Sequence, residues 1–212
     1  MYSDARGGQA SYDFLDFGSG RLGLVVADIS GKGISAALLM ANLQANLRSQ
    51  DATALEDRPG LLGSVNRLFY KNTDASHYAT IFFAVYDDKT RRLRYVNCGH
   101  NPPVLLRANG GAERLGATAT VLGLFKDWDC AVAECELASG DDLVIYTDGI
   151  SEAGESDNGN SEEFGEKRLT VAIRKHRQQS ADEILDGILS DVQQFSRGEQ
   201  ADDMTLIVAR ER

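Results

Sequence analysis

No apolar run in this chain approaches the roughly 20 residues that a membrane-spanning helix needs. The opening MYSDARGG also lacks the basic and apolar regions of a signal peptide. Cytoplasmic residence is therefore the expectation, with no membrane contact from this segment. Cysteine is scarce: Cys98, Cys130 and Cys135 are odd in number and have no CxxC spacing, which excludes a disulfide framework and a zinc knuckle. They read as buried or idle thiols. Positive charge is short as well, with 22 basic against 32 acidic residues and a net charge of −10, so nucleic acid is a poor partner. A Walker loop is missing, because Lys32 is followed by Gly33 and no glycine stands five residues before Gly31. Internal repeats and low-complexity linkers are absent too.

What is present suits a globular fold. Hydrophobic residues make up 42% of the 212 and charged ones 25%, enough for a sizeable core in one large domain or two small ones. The segment Leu22 to Met40, LGLVVADISGKGISAALLM, organises the rest. A β-branched apolar run ends at the single carboxylate Asp28, Ser30 to Gly33 form a turn, and Ala36 to Leu47 resumes with helical spacing.

The remaining chain is predicted in order. QASYDFLDF (9–17) reads as a strand, GSG (18–20) as a hairpin turn, LEDRPG (55–60) as a break and 61–71 as a helix with Leu62, Val65, Leu68 and Phe69 on one face. ATIFFAVYD, RLRYVNCG and PVLLRA read as an antiparallel meander jointed by DDKTR and HNPP. Further strands are expected at 130–137, 142–147 and 204–210, a loop at 152–168, and helices at 168–177 and 181–196, the last capped by Ser180 with Glu183. Runs of strands and runs of helices point to an α+β fold with helices on the outer faces of antiparallel sheets.

Strand-end carboxylates recur. Asp148 follows DLVIYT, and Asp202 and Asp203 precede MTLIVA. Clustered carboxylates repel unless a divalent cation neutralises them, and all-oxygen ligands select Mg²⁺ or Mn²⁺ over zinc. Spacing alone leaves this reading and plain turn or cap chemistry both open.

The motifs RLGLVVADISGKGISAALLMA, HYATIFFAVYD, YVNCGHNPPVLL, DLVIYTDGISEA, FGEKRL and ADDMTLIVAR, in this order, closely resemble the SpoIIE-type bacterial branch of the metal-dependent, type-2C (PPM) serine/threonine protein phosphatases. The resemblance implies an antiparallel β-sandwich flanked by helix pairs, with a two-metal centre holding Mn²⁺ or Mg²⁺. By likeness to the motifs, Asp28 would bridge both metals, Ile29 would lend its backbone carbonyl, Asp148 and Asp202 would bind the first metal, and Asp203 would orient the site. Residues 1–212 would be a single phosphatase domain, the C-terminal catalytic part of a longer regulatory protein. Its implied substrate is a phosphorylated regulator of anti-anti-sigma type in a partner switch, and a homodimer is left open.

One position departs. The family opens with a GGDYYDF-like strand whose first Asp is a ligand of the second metal, whereas this chain has GGQASYDF, which puts Ala10 there. Asp13, three residues along, is expected on the opposite face. A weakened enzyme, or an impaired pseudophosphatase that binds a phosphoprotein, are the two expectations. His100 reads as structural and bonded to backbone, Lys32 as solvated and Asn101 as a turn residue.

Overall fold

The computed structural model describes residues 10–31, 34–48, 58–72, 77–157, 160–197 and 203–211. The chain divides into two compact units, Met1–His100 with Ala117–Glu136, and Asn101–Gly116 with Leu137–Arg212.

In the first unit β1 (Ala10–Asp16), β2 (Arg21–Ile29), β3 (Ala79–Asp87), β4 (Arg92–Cys98) and β7 (Ala133–Glu136) make an antiparallel sheet in that order. Helices α1 (Ile34–Arg48) and α2 (Arg58–Asn72) carry its core. Alternation along β2 decides the packing: Val25, Ala27 and Ile29 join Met40, Leu43 and Leu47 of α1 and Leu62, Val65 and Phe69 of α2 in one apolar cluster. Leu24 and Val26, on the other face, are buried as well, which is why the strand reads as an unbroken apolar run. Pro59 and Gly60, expected to break the chain, lie instead in the first turn of α2. Proline is tolerated there because that N–H has no intrahelical partner.

The second unit holds β5 (Val104–Leu106), β6 (Ala112–Arg114), β8 (Asp142–Tyr146) and β11 (Leu206–Arg210) in the antiparallel order β11-β8-β5-β6, with α3 (Asp148–Ser151), α4 (Gly165–His176) and α5 (Ala181–Phe195). Val104, Leu106, Val144 and Tyr146 cluster with Leu169 and Ile173 of α4 and Ile184, Ile188 and Val192 of α5. Gly187 lets those two helices approach, since a Cβ there would lie 2.6 Å from the His176 ring. The expected cap of α5 is present: Ser180 Oγ accepts from the Glu183 N–H, and the Glu183 carboxylate accepts from the Ser180 N–H at 2.8 Å.

Two further expectations are corrected. PVLLRA does not extend the meander, because β5 pairs with β6 and β8 rather than β4. Pro102 and Pro103 have no N–H to donate to a ladder, so HNPP is where the chain leaves its first sheet. The stretch 152–168 is not a loop but a hairpin, β9 (Gly154–Asp157) with β10 (Asn160–Glu163), followed directly by α4.

Candidate active site

Asp28 sits near the end of β2, with Ala10 opposite it on β1 and Thr80 opposite it on β3. Directly opposed residues share a face, so the Ala10 methyl points the same way as the Asp28 carboxylate from the neighbouring strand. Asp13 pairs instead with Val25, on the helix-facing side, and its carboxylate binds Arg48 of α1 at 2.5 and 3.0 Å. It is therefore committed elsewhere and on the wrong face to stand in for an acid at position 10. The turn after Asp28 is tied to the start of β3: the Ser30 N–H donates to the Tyr78 carbonyl at 2.9 Å, and the Tyr78 N–H donates to Ser30 Oγ at 2.7 Å. Ile29 is fully buried by its side chain in the core, which leaves only its backbone to act as a donor atom. Lys32 lies outside the described residues.

The second strand end is built differently. Thr147 extends the β8–β11 ladder, its N–H donating to the Thr205 carbonyl at 3.1 Å and its Oγ1 accepting the Thr205 N–H at 2.9 Å. The same hydroxyl donates to the Asp203 carbonyl at 3.2 Å, so Asp203 stands at the end of β8 where Asp148 opens α3. Asp148 Oδ1 accepts from the Gly149 N–H at 2.9 Å, which fixes its carboxylate over the first turn. Asn101 does more than shape a turn, because its Nδ2 donates to Ser151 Oγ of α3 at 3.2 Å. Asp202, the neighbour of Asp203, lies outside the described residues.

Among the described residues no group of three or more His, Cys, Asp and Glu is gathered to hold a metal. The carboxylates at the two strand ends are hard oxygen donors of the kind Mg²⁺ and Mn²⁺ prefer. Cys98 is wholly buried, and that burial pushes its thiol far above the usual range.

Several working residues were not singled out in the sequence. Asn66 of α2, almost fully buried, accepts the Gly123 N–H at 2.8 Å and donates to the Phe125 carbonyl at 3.0 Å, which pins the loop before β7. Asn97, buried on β4, accepts the His100 N–H at 2.8 Å through Oδ1. Each is an amide in an otherwise apolar row, the one signal that would have flagged it. His100, expected to be structural and bonded to backbone, has the Thr80 hydroxyl 3.1 Å from its ring Nδ1.

The family model of stage II sporulation protein E (SpoIIE) matches residues 18–212. The chain belongs to the SpoIIE family. It thus falls in the SpoIIE-type branch of the PPM phosphatases, as its motifs imply. It is 30% identical over 207 residues to phosphoserine phosphatase RsbU of Bacillus subtilis (strain 168), an alignment covering 96% of this chain and 60% of RsbU. The SiaA-PP2C domain of Pseudomonas aeruginosa has the same fold, at a TM-score of 0.80 with 19% identity, covering 97% of this chain and 81% of that one. RsbX, solved in complex with magnesium, matches at a TM-score of 0.63 with 17% identity over 95% of this chain and 86% of that one. The fold class of this SpoIIE-family chain is therefore α+β, with type-2C phosphatase-like antiparallel sheets flanked by helices.

Proposed function

We propose that this chain is a divalent-metal-dependent phosphoserine/phosphothreonine protein phosphatase, with residues 1–212 forming its phosphatase domain within a longer regulatory protein. The observation that carries the reading is the family match across residues 18–212, joined to strand-end carboxylates at both of the positions the motifs assign within the described residues. Asp28, the Ile29 carbonyl, Asp148 and Asp202 would hold Mn²⁺ or Mg²⁺, and catalysis would rest on Asp28, Asp148 and Asp202. When bound, paired cations acidify water and offset phosphate charge. The chain's own part is to hold the acids ready: the ladder at Thr147 and Thr205 fixes the Asp148 end, and the Ser30–Tyr78 pair fixes the turn beyond Asp28. Asp203 would orient the first-metal ligands.

Ala10 opposite Asp28 favours a second reading within this one. A methyl cannot coordinate a cation, so the second metal would be held weakly and turnover reduced, or lost in a pseudophosphatase that only binds its phosphoprotein. The substrate we infer is a phosphorylated regulator of anti-anti-sigma type, as the motif resemblance implies, and the likeness to the phosphoserine phosphatase RsbU supports a phosphoserine target. No described helix is long and apolar enough to cross a membrane, and a cytoplasmic site of action fits the partner-switch reading. The deciding assay is Mn²⁺- and Mg²⁺-dependent release of phosphate from p-nitrophenyl phosphate and a phosphoserine protein. Hydrolysis that disappears on chelation supports the enzyme; binding of the phosphoprotein without hydrolysis supports the pseudophosphatase; neither result would leave the functional reading without a basis.

A further inference from the structure

We propose that Thr80 and His100 are positioning residues for the Asp28 carboxylate, a reading that rests on the metal-dependent phosphatase proposed above. Thr80 is directly opposite Asp28 in the β2–β3 register. The two side chains therefore leave the same face with Cβ atoms roughly 5 Å apart, within reach of a hydroxyl. Thr80 is β-branched and stiff about χ1 in a strand, so where its hydroxyl points is set by its neighbour on the other side. That neighbour is His100, whose Nδ1 lies 3.1 Å from Thr80 Oγ1.

His100 is itself held by a built frame. The residue is 4% exposed, and its backbone N–H donates to Asn97 Oδ1 at 2.8 Å. Asn97 in turn donates its N–H to Thr118 Oγ1 at 3.0 Å, and its carbonyl accepts the N–H groups of Thr118 and Ala119 at 2.8 and 3.1 Å. The residue before the ring must be glycine: Gly99 has φ +69°, and a Cβ there would lie 2.6 Å from Val121 Cγ1. An imidazole buried at this cost to backbone and solvation is a poor choice as filler, since an apolar side chain would fill the space without a polar group to satisfy. Its use is to fix the direction of the Thr80 hydroxyl, the polar group directly opposite Asp28 across the β2–β3 pair, beside the carboxylate that a cation would use. Removing an outer partner of this kind typically costs 10–100-fold in metal affinity or activity.

The test uses Thr80→Val, which keeps the shape without the hydroxyl, against Thr80→Ser, which keeps the hydroxyl, in the full chain. Mn²⁺ affinity is read by electron paramagnetic resonance and the His100 ring nitrogens by ¹⁵N NMR. Thr80→Val is expected to weaken Mn²⁺ binding about tenfold and lower kcat with KM unchanged, while Thr80→Ser stays within about twofold of the parent. The His100 Nδ1 resonance is expected to move in both Thr80→Val and Asp28→Asn. Equal Mn²⁺ affinity in the two Thr80 variants, or a His100 resonance indifferent to Asp28→Asn, overturns the proposal. A parent chain that binds Mn²⁺ but hydrolyses nothing sinks the phosphatase reading alone, and one that binds no Mn²⁺ sinks both.

Discussion

The two carboxylate-bearing strand ends solve the same local problem with different neighbours. At the end of β8, Asp148 keeps Asp203 beside it, and the hydroxyl of Thr147 ties the two strands together. At the end of β2, Asp28 has a methyl on one side and a hydroxyl on the other, Ala10 and Thr80. The contrast teaches that position along a strand and chemistry across the sheet are separable. Both ends place an acid where a strand gives way to a helix, through a turn after Asp28 and directly at Asp148, yet only the second retains a further acid among its described neighbours. On the phosphatase reading, the second end would anchor a cation firmly and the first would hold its share loosely.

Removing the anchor should have the largest effect. Asp148→Asn is expected to reduce metal-dependent hydrolysis of p-nitrophenyl phosphate by more than about a hundredfold with folding intact by circular dichroism. Restoring the missing acid should narrow the contrast: Ala10→Asp is expected to raise the Mn²⁺-dependent rate roughly tenfold, whereas no gain would show that the β1 position is not what limits the site.

The supports behind each end can be compared by stability. Arg210 binds both oxygens of the buried Asp142 carboxylate at 2.7 and 2.8 Å and donates to the carbonyls of Arg177 and Gln179 at the end of α4. Arg210→Met should cost about 3 kcal/mol in urea unfolding, because it strands a buried charge. In the first unit, Asn66→Ala should cost about 2 kcal/mol by leaving the buried Gly123 N–H and the part-buried Phe125 carbonyl unmet, and it should loosen protection of the Gly123 amide in hydrogen exchange.

The smallest effect is a slope with pH. Burial by itself would raise the Asp141 carboxyl, but Arg107 at 2.8 Å and the N–H groups of Ala108 and Ala138 outweigh it and hold the group below its usual range. A carboxyl whose folded pKa lies below its unfolded one contributes stability that is complete above the unfolded value of about 3.9 and is lost as pH falls through the folded value. Thermal melting of the parent should therefore fall away below about pH 4, and the fall should be shallower in Asp141→Asn.

Legibility followed the range of the interactions involved. The Ser180–Glu183 cap of α5 spans three residues, and the hairpin around GSG joins neighbours in sequence, so both could be read directly. The short α3 and β6 carry too few residues to show a period, and the hairpin at 154–163 is hidden in an acidic stretch without apolar alternation. Asp28 and Asp148 were legible because an acid abutting an apolar run is a local oddity. Thr80 was not, since a threonine in a strand is ordinary until the partner opposite it is known.

Residue order alone determined most of the longer strands and helices, where acids end strands, and which family the chain joins, because these depend on periodicity and motif spacing. Register and sheet membership were decided only in three dimensions. Ala10 meets Asp28, Asp13 is drawn away to Arg48, and β5 forsakes β4 for β8 because backbone hydrogen bonds between distant segments are chosen by the packing of whole faces, a choice no single stretch of sequence encodes.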